Sequence, residues 1–404
     1  MNNLNICFIS EPLFPINATT SRTLNFAKSL VDRGHNVIIL TLRESFEAPQ
    51  EEFYNGCRII RFERGIYPVK FYRERRNMYL NFFLRGSALQ FYAKIVDIVN
   101  TFNVDILHCA NYFPSVVGAG FRPFIRDPTI CDLHASIYLE SYPRGMYVES
   151  IIGRVIEKIL CRFSDALIVP VPEFKDYLCK SRSKNERKEK IYVVPSSIDV
   201  DLFKPCSDVN LRNKLGLPSH TYLVFYHGSP YPENFRALKD LIQVVDELNR
   251  RGFPTKALVA GHFTDRISNA PNVIFTGWLS QEKLADYINA ADIAILPIRM
   301  TSKGIYTRIL EYMGCGKATI TTKEGATGLW FAVKDGGLIV KDRISDIVDS
   351  AILLLKNEAL RNEIGKNARV IAEKYFSHKS IGLLLESVYY KTIIARKKSL
   401  KLEH

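Results

Sequence analysis

Short β-branched apolar runs alternate with helix-periodic segments along most of this chain, and the alternation starts twice. LNICFIS (4–10) reads as a strand and is followed by TLNFAKSLVDRGHNVIILTL (23–42). There Leu24, Ala27, Leu30 and Val31 recur at helical spacing, Gly34 supplies a stop, and NVIILTL is a strand apolar on both faces. VDILHCAN (104–111), TICDLHA (129–135), DALIVPV (165–171) and KIYVVPS (190–196) continue the series, with helical stretches between them. A polar stretch at 207–221 interrupts it. LVFYHGS (223–229) then opens a second array, continued by KALVAGH, NVIFTGW, DIAILPI, ATITTKEG and GGLIV. Strands alternating with helices give a parallel sheet covered on both faces. The expected fold is therefore α/β, with two Rossmann-like domains of residues 1–205 and 206–379. Ligands of such sheets bind beyond the carboxyl ends of the strands, so two sheets facing across a cleft are expected to hold one between them.

Composition narrows the function classes. The chain has 404 residues, 47% of them hydrophobic and 24% charged, which suits a folded globular protein. No apolar run reaches the length of a membrane span. MNNLNICFISEPLF lacks the basic stretch and small-residue cleavage site of a secretory leader, so a cytoplasmic location is expected. The closing LEH is read as a tag remnant. The eight cysteines are scattered without a CxxC pair and read as reduced, mostly buried thiols.

Part of the net charge of +13 lies in one segment. Seven basic residues between Arg61 and Arg85 meet two acidic ones, and FYRERRNMYLNFFLRG interleaves them with aromatics. A solvated face and an anionic membrane surface contacted by Arg73, Arg75 and Arg76 both remain open. No nucleic-acid motif accompanies the patch, and no nucleic-acid partner is expected.

The most informative loop follows DIAILPI. RMTSKG leads into a helix from about Ile305, IYTRILEYMGCG. Gly304 permits close backbone approach, and the amides of Gly304, Ile305, Tyr306 and Thr307 at the helix start suit a pyrophosphate. Thr307 and Glu311 are four apart and share a face. On these residues alone Glu311 is either a ribose ligand or a solvated helix residue.

Several stretches, in order, resemble glycosyltransferase family 4, the large retaining group of GT-B enzymes. They are AKSLVDRGHNVIILT, DALIVPVPEFKDYL, VVPSSIDVDLFKP, TGWLSQEKLADYINAADIAILPI, ILEYMGCGKATITT and GKNARVIAEKYF. The resemblance runs through nearly the whole chain. It implies the GT-B fold, with a tail helix at about 380–401 packing back on the N-terminal acceptor domain. It also implies a C-terminal domain that binds the donor.

The family's second motif glutamate falls on Glu311 and makes it the ribose ligand. Its first, a ligand of the donor sugar, falls on Lys303. The Arg and Lys that clamp the pyrophosphate after the domain's first strand fall on Ser229 and Asn234, beside Gly228. Arg308 matches a subgroup that carries a basic residue three before the retained Glu, and Arg236 and Lys303 are further candidates for the lost clamp. A His at the place of His134 meets the transferred sugar, and Trp278 lies in the nucleobase loop. Asn17, Ala18 and Thr19 stand where the family often has a glycine-rich phosphate loop.

The resemblance thus implies a glycosyltransferase moving a sugar from a nucleotide diphosphate donor to a hydroxyl of a glycan or lipid-linked acceptor, with retention. His134 and Glu311 serve the reaction, with no cofactor beyond the nucleotide-sugar co-substrate and no catalytic metal. The location implied is cytoplasmic, peripheral on the inner face of the membrane. The departures at Lys303, Ser229 and Asn234 keep two alternatives in view: a non-catalytic nucleotide-sugar-binding subunit, and a nucleotide-sugar epimerase.

Overall fold

The computed structural model describes residues 3–14, 18–43, 47–62, 87–120, 122, 125–180, 190–206, 210–228, 232–261, 263, 270–299, 306–329 and 335–402. The chain divides into two compact units, Met1–Ser196 with His378–His404, and Ser197–Ser377.

The first unit runs β1 (Asn5–Ser10), α1 (Ala18–Val31), β2 (Asn36–Leu42), β3 (Glu51–Tyr54), β4 (Cys57–Phe62), α2 (Ser87–Thr101) and β5 (Ile106–Ala110). It continues through α3 (Tyr112–Gly120), β6 (Thr129–Asp132), α4 (Ile137–Ser141), α5 (Tyr147–Phe163), β7 (Ala166–Val169), α6 (Pro172–Lys180) and β8 (Ile191–Val193). Its sheet has the order β3-β4-β2-β1-β5-β6-β7-β8, parallel except for the β3–β4 hairpin. Helices cover both faces, because the strands are apolar on both: Ile6 and Phe8 of β1 pack with α1, while Cys7 and Ile9 pack with α2.

The second unit runs α7 (Leu211–Lys214), β9 (Tyr222–His227), α8 (Pro232–Arg250), β10 (Thr255–Ala260), β11 (Val273–Gly277), α9 (Gln281–Ala290), β12 (Ile293–Leu296) and α10 (Thr307–Gly314). It ends with β13 (Thr319–Thr322), β14 (Gly337–Val340), α11 (Ile344–Lys356) and α12 (Glu358–Ile371), then a π-helical turn at Ala372–Phe376. The sheet is parallel, in the order β11-β10-β9-β12-β13-β14. The order reverses between β9 and β12, and in open α/β sheets a ligand crevice lies outside such a reversal.

Two boundaries differ from the expected ones. The crossover follows Ser196 instead of residue 205, because Ile198 and Phe203 pack into the core of the second unit. Residues 378–379 belong to α13 (His378–Leu402), which rejoins the first unit. There Ile381, Leu385, Val388 and Tyr389 enter the core beside α1, and Arg33 pairs with Glu386. α1 likewise begins at Ala18, earlier than the periodic stretch at 23 suggests. Among the described residues no helix is long and apolar enough to cross a membrane.

Candidate active site

In the second unit the carboxyl end of β9 and the start of α10 bring several polar side chains together. α10 begins after Tyr306, which has extended backbone and no side-chain cap, so its first-turn amides are not satisfied by a capping side chain. Helical spacing then sorts its residues. Ile309, Leu310 and Met313 are buried in the core, and Arg308 and Glu311 turn toward the end of β9.

The Arg308 guanidinium does not extend freely. Its Nη1 donates to the His227 carbonyl (2.6 Å) and the Tyr226 hydroxyl (3.3 Å), and its Nη2 donates to Asn234 Oδ1 (2.8 Å). It also stands over the rings of Tyr226 and Tyr306 at 5.5 and 5.6 Å. Gly228 lies alongside, and a Cβ there would come within 2.7 Å of Nη1 and oblige the guanidinium to shift. Arg308 is therefore neither an exposed helix residue nor the partner of Glu311. It ties α10 to the β9–α8 connection while carrying a positive charge beside Asn234, the position the resemblance assigns to the missing lysine.

Glu311 meets His227 instead. Their Nε2 and Oε2 atoms are 2.9 Å apart, and the side chains are 15% and 20% exposed. The Tyr312 hydroxyl accepts from the His227 amide (3.3 Å) and lies 3.1 Å from His227 Nδ1. The hydroxyl can also donate its own proton to Nδ1, and in that tautomer the ring proton sits on Nε2, facing the carboxylate. The approach is close but off the line of a hydrogen bond, and Glu311 Oε2 has no hydrogen-bond partner among the described residues. A buried carboxylate oxygen left this way has acceptor capacity to offer a ligand. His227 is a residue of this cluster that the sequence analysis does not single out; its position as the last residue of a strand, just before a glycine, is the signal that was available.

Trp278 follows β11 and is 67% exposed, so it is not a core residue. Arg236 is exposed on α8 and is not among the residues bonded to Arg308 or Glu311. Thr307 opens α10 and is half-buried. Ser229, Lys303, Gly304 and Ile305 lie outside the described residues, as do Asn17 and the basic residues Arg73, Arg75 and Arg76. Ala18 and Thr19 form the first turn of α1.

The first unit holds a second polar cluster at the end of β6. Arg22 of α1 and Asp132 form a buried two-pronged ion pair, Nη2 to Oδ1 at 2.9 Å and Nε to Oδ2 at 3.0 Å. Arg22 donates further to the Val194 carbonyl (2.8 Å) and the Ser196 hydroxyl (3.1 Å), and stacks on Phe26. His134 Nε2 stands 3.3 Å and His108 Nε2 3.6 Å from Asp132 Oδ2. Burial works to raise the Asp132 pKa, but Arg22 and the two histidines outweigh it and hold the carboxyl well below its usual range. For His134 burial prevails over Asp132 and lowers the pKa, so the ring is neutral at pH 7 and suits hydrogen bonding to a neutral hydroxyl. His108 is lowered for the same reason, stacks on Phe8 at 4.4 Å, and bonds through Nδ1 to the Tyr389 hydroxyl of α13 at 2.7 Å.

The comparisons agree with this architecture. The family model described as Glycosyltransferase Family 4 matches residues 20–202, and that of Glycosyl transferases group 1 matches 221–357. The chain is a GT-B glycosyltransferase of the family 4 type. The enzyme is 22% identical over 383 residues to sulfoquinovosyl transferase SQD2 of Arabidopsis thaliana, covering 90% of this chain and 69% of that one. Sucrose-phosphate synthase from Thermosynechococcus elongatus superposes with a TM-score of 0.80 at 20% identity, over 97% of this glycosyltransferase and 100% of that chain. HepE from Anabaena, solved in complex with UDP-glucose, gives 0.70 at 18% identity, over 96% and 100%.

Proposed function

We propose that this glycosyltransferase takes its sugar from a nucleotide diphosphate donor held in the second unit, and passes it to a hydroxyl with retention of configuration. The observation that carries the reading is the Glu311 oxygen with no hydrogen bond among the described residues, one turn into a helix without a side-chain cap at the reversal point of a parallel sheet. A ribose offers two hydroxyl donors to one carboxylate, and a diphosphate placed at the start of α10 would meet first-turn amides and the positive end of the helix dipole. Arg308 adds the cation that the resemblance locates at residue 234, supplied from the facing helix. These groups act where charge develops. As the glycosidic bond breaks, the leaving diphosphate gains negative charge, which amides and guanidinium stabilise with no reorganisation. Trp278 offers an exposed ring for the base. Neutral His134 keeps the role the family pattern gives it, a hydrogen bond to the transferred sugar. The leaving phosphate accepts the acceptor's proton, so no paired carboxylates are required.

The acceptor is proposed to be a glycan or lipid-linked hydroxyl, with the enzyme working in the cytoplasm. The test is incubation with UDP-, GDP- and ADP-sugars and a panel of soluble and lipid-linked acceptors, with the product anomer read by NMR. Transfer from one donor with the donor's anomeric configuration supports the reading. An inverted product overturns retention, and interconversion of the free nucleotide-sugar points to an epimerase.

A further inference from the structure

Helix α5 carries an exposed apolar stripe besides the buried stripe that seats it. Ser150, Gly153, Glu157, Leu160 and Cys161 are its buried residues, packed toward α4 and α3. Val148, Ile151, Ile152, Val155, Ile159 and Phe163 are 44% to 64% exposed. At about 100° per residue these two sets centre on opposite sides of the helix, so the second stripe points directly away from the core. Tyr142 and Met146, just before the helix, and Tyr147, its first residue, extend the exposed patch. Scattered exposed apolar residues need no explanation, but a continuous stripe along a whole helix marks a surface that meets something.

Charge says what that is. Arg154, Lys158 and Arg162 are exposed and follow one edge of the stripe at helical spacing, with Arg144 exposed at its amino-terminal end. The two acidic residues of α5 are withdrawn: Glu157 is buried, accepting from Tyr112, Ser136 and Tyr177, and Glu149 is half-buried. A two-fold contact with a second copy would set this basic edge against its own image, whereas an anionic bilayer complements it.

We infer that α5 is an interfacial helix, lying along an anionic lipid surface with Val148, Ile151, Ile152, Val155, Ile159 and Phe163 in the acyl boundary and its arginines and lysine among the lipid phosphates. The inference does not depend on the donor assignment, because it concerns a face remote in sequence from Glu311 and reads out without turnover. It also names a stretch of sequence other than the basic segment around Arg73.

Two measurements test it. Full-length protein is sedimented with vesicles of phosphatidylcholine alone and with vesicles containing phosphatidylglycerol. Binding is expected only to the anionic vesicles and is expected to weaken with salt. Ile151→Ser/Val155→Ser/Ile159→Ser should abolish it. Arg154→Ser/Lys158→Ser/Arg162→Ser should lower the partition coefficient on the order of a hundredfold. Hydrogen exchange on the wild-type protein removes any dependence on how the variants fold: anionic vesicles should protect residues 146–163. Absence of binding, or binding with no protection of 146–163 and no loss in either variant, overturns the inference. So does a concentration-dependent dimer that the apolar variant dissolves, which would identify the occupant as a second copy.

Discussion

The imidazole of His227 is wedged between Glu311 and Tyr312, 2.9 Å from the carboxylate through Nε2 and 3.1 Å from the hydroxyl through Nδ1. β9 thereby fixes the direction of a carboxylate that belongs to α10. A carboxylate that must accept two hydroxyls gains from being held before the ligand arrives, since less ordering remains to be done on binding.

His227→Ala should therefore weaken nucleoside diphosphate binding without touching the ligand's own acceptor. The expected loss is about 0.5 to 1.5 kcal/mol, the cost of ordering one side chain on binding. It should be smaller than the loss in Glu311→Ala. Calorimetric titration of both variants checks the ranking, and a larger effect for His227→Ala would make the histidine itself the ligand.

Arg308→Ala has two expected consequences. The His227 carbonyl and Asn234 Oδ1 each lose a donor, so thermal stability should fall, by about 1 to 3 kcal/mol. Diphosphate affinity should fall much more than nucleoside affinity if the lost charge serves the phosphates as proposed. Equal losses for the two ligands would leave Arg308 with the structural role alone.

The ion pair under β6 makes a stability prediction. Arg22→Ala leaves the Asp132 carboxylate buried without its cation, which costs about 3 to 5 kcal/mol for pairs of this kind. Urea unfolding of the variant measures it. A change below about 1 kcal/mol would show that His108 and His134 take over the compensation by protonating.

Protonation of His108 sets a pH dependence whose sign is fixed. Its folded pKa lies below the unfolded value, chiefly through burial, so the unfolded state binds the extra proton first. Stability contributed by the neutral ring is present above about pH 6.5 and is lost as pH falls below it. His134 and His35 act in the same direction, while Glu157, raised by burial, acts against them at lower pH. Comparing wild type with His108→Gln cancels those shared contributions. Between pH 7 and pH 5 the wild type should lose more stability than the variant, by at most about 1.4 kcal/mol per pH unit. Parallel profiles would mean that His108 titrates alike folded and unfolded.

Much of this was legible in the order of residues. The restart of the strand–helix pattern at Leu223 announced the second sheet, and Thr307 to Met313 announced a helix with Glu311 off its buried stripe. The β3–β4 hairpin was missed although Asn55-Gly56 signals it; both residues take positive φ, as a tight hairpin turn requires. A strand of four residues such as β3 carries too little periodicity to be read. The contacts of Arg308 and His227 were illegible for a different reason. Each bond joins residues about eighty apart in the chain, and which acceptor a guanidinium finds is decided by tertiary packing.

The central claim is that Glu311 receives the donor nucleotide, and one measurement bears on it most directly. UDP, GDP and ADP are titrated calorimetrically into wild type and Glu311→Gln at neutral pH, with the folded state of each confirmed by its thermal midpoint. The account predicts that one of the three nucleotides binds the wild type and that the substitution weakens that binding by about 1 to 3 kcal/mol, roughly 5- to 150-fold. Unchanged affinity in Glu311→Gln would contradict it and place the nucleotide elsewhere.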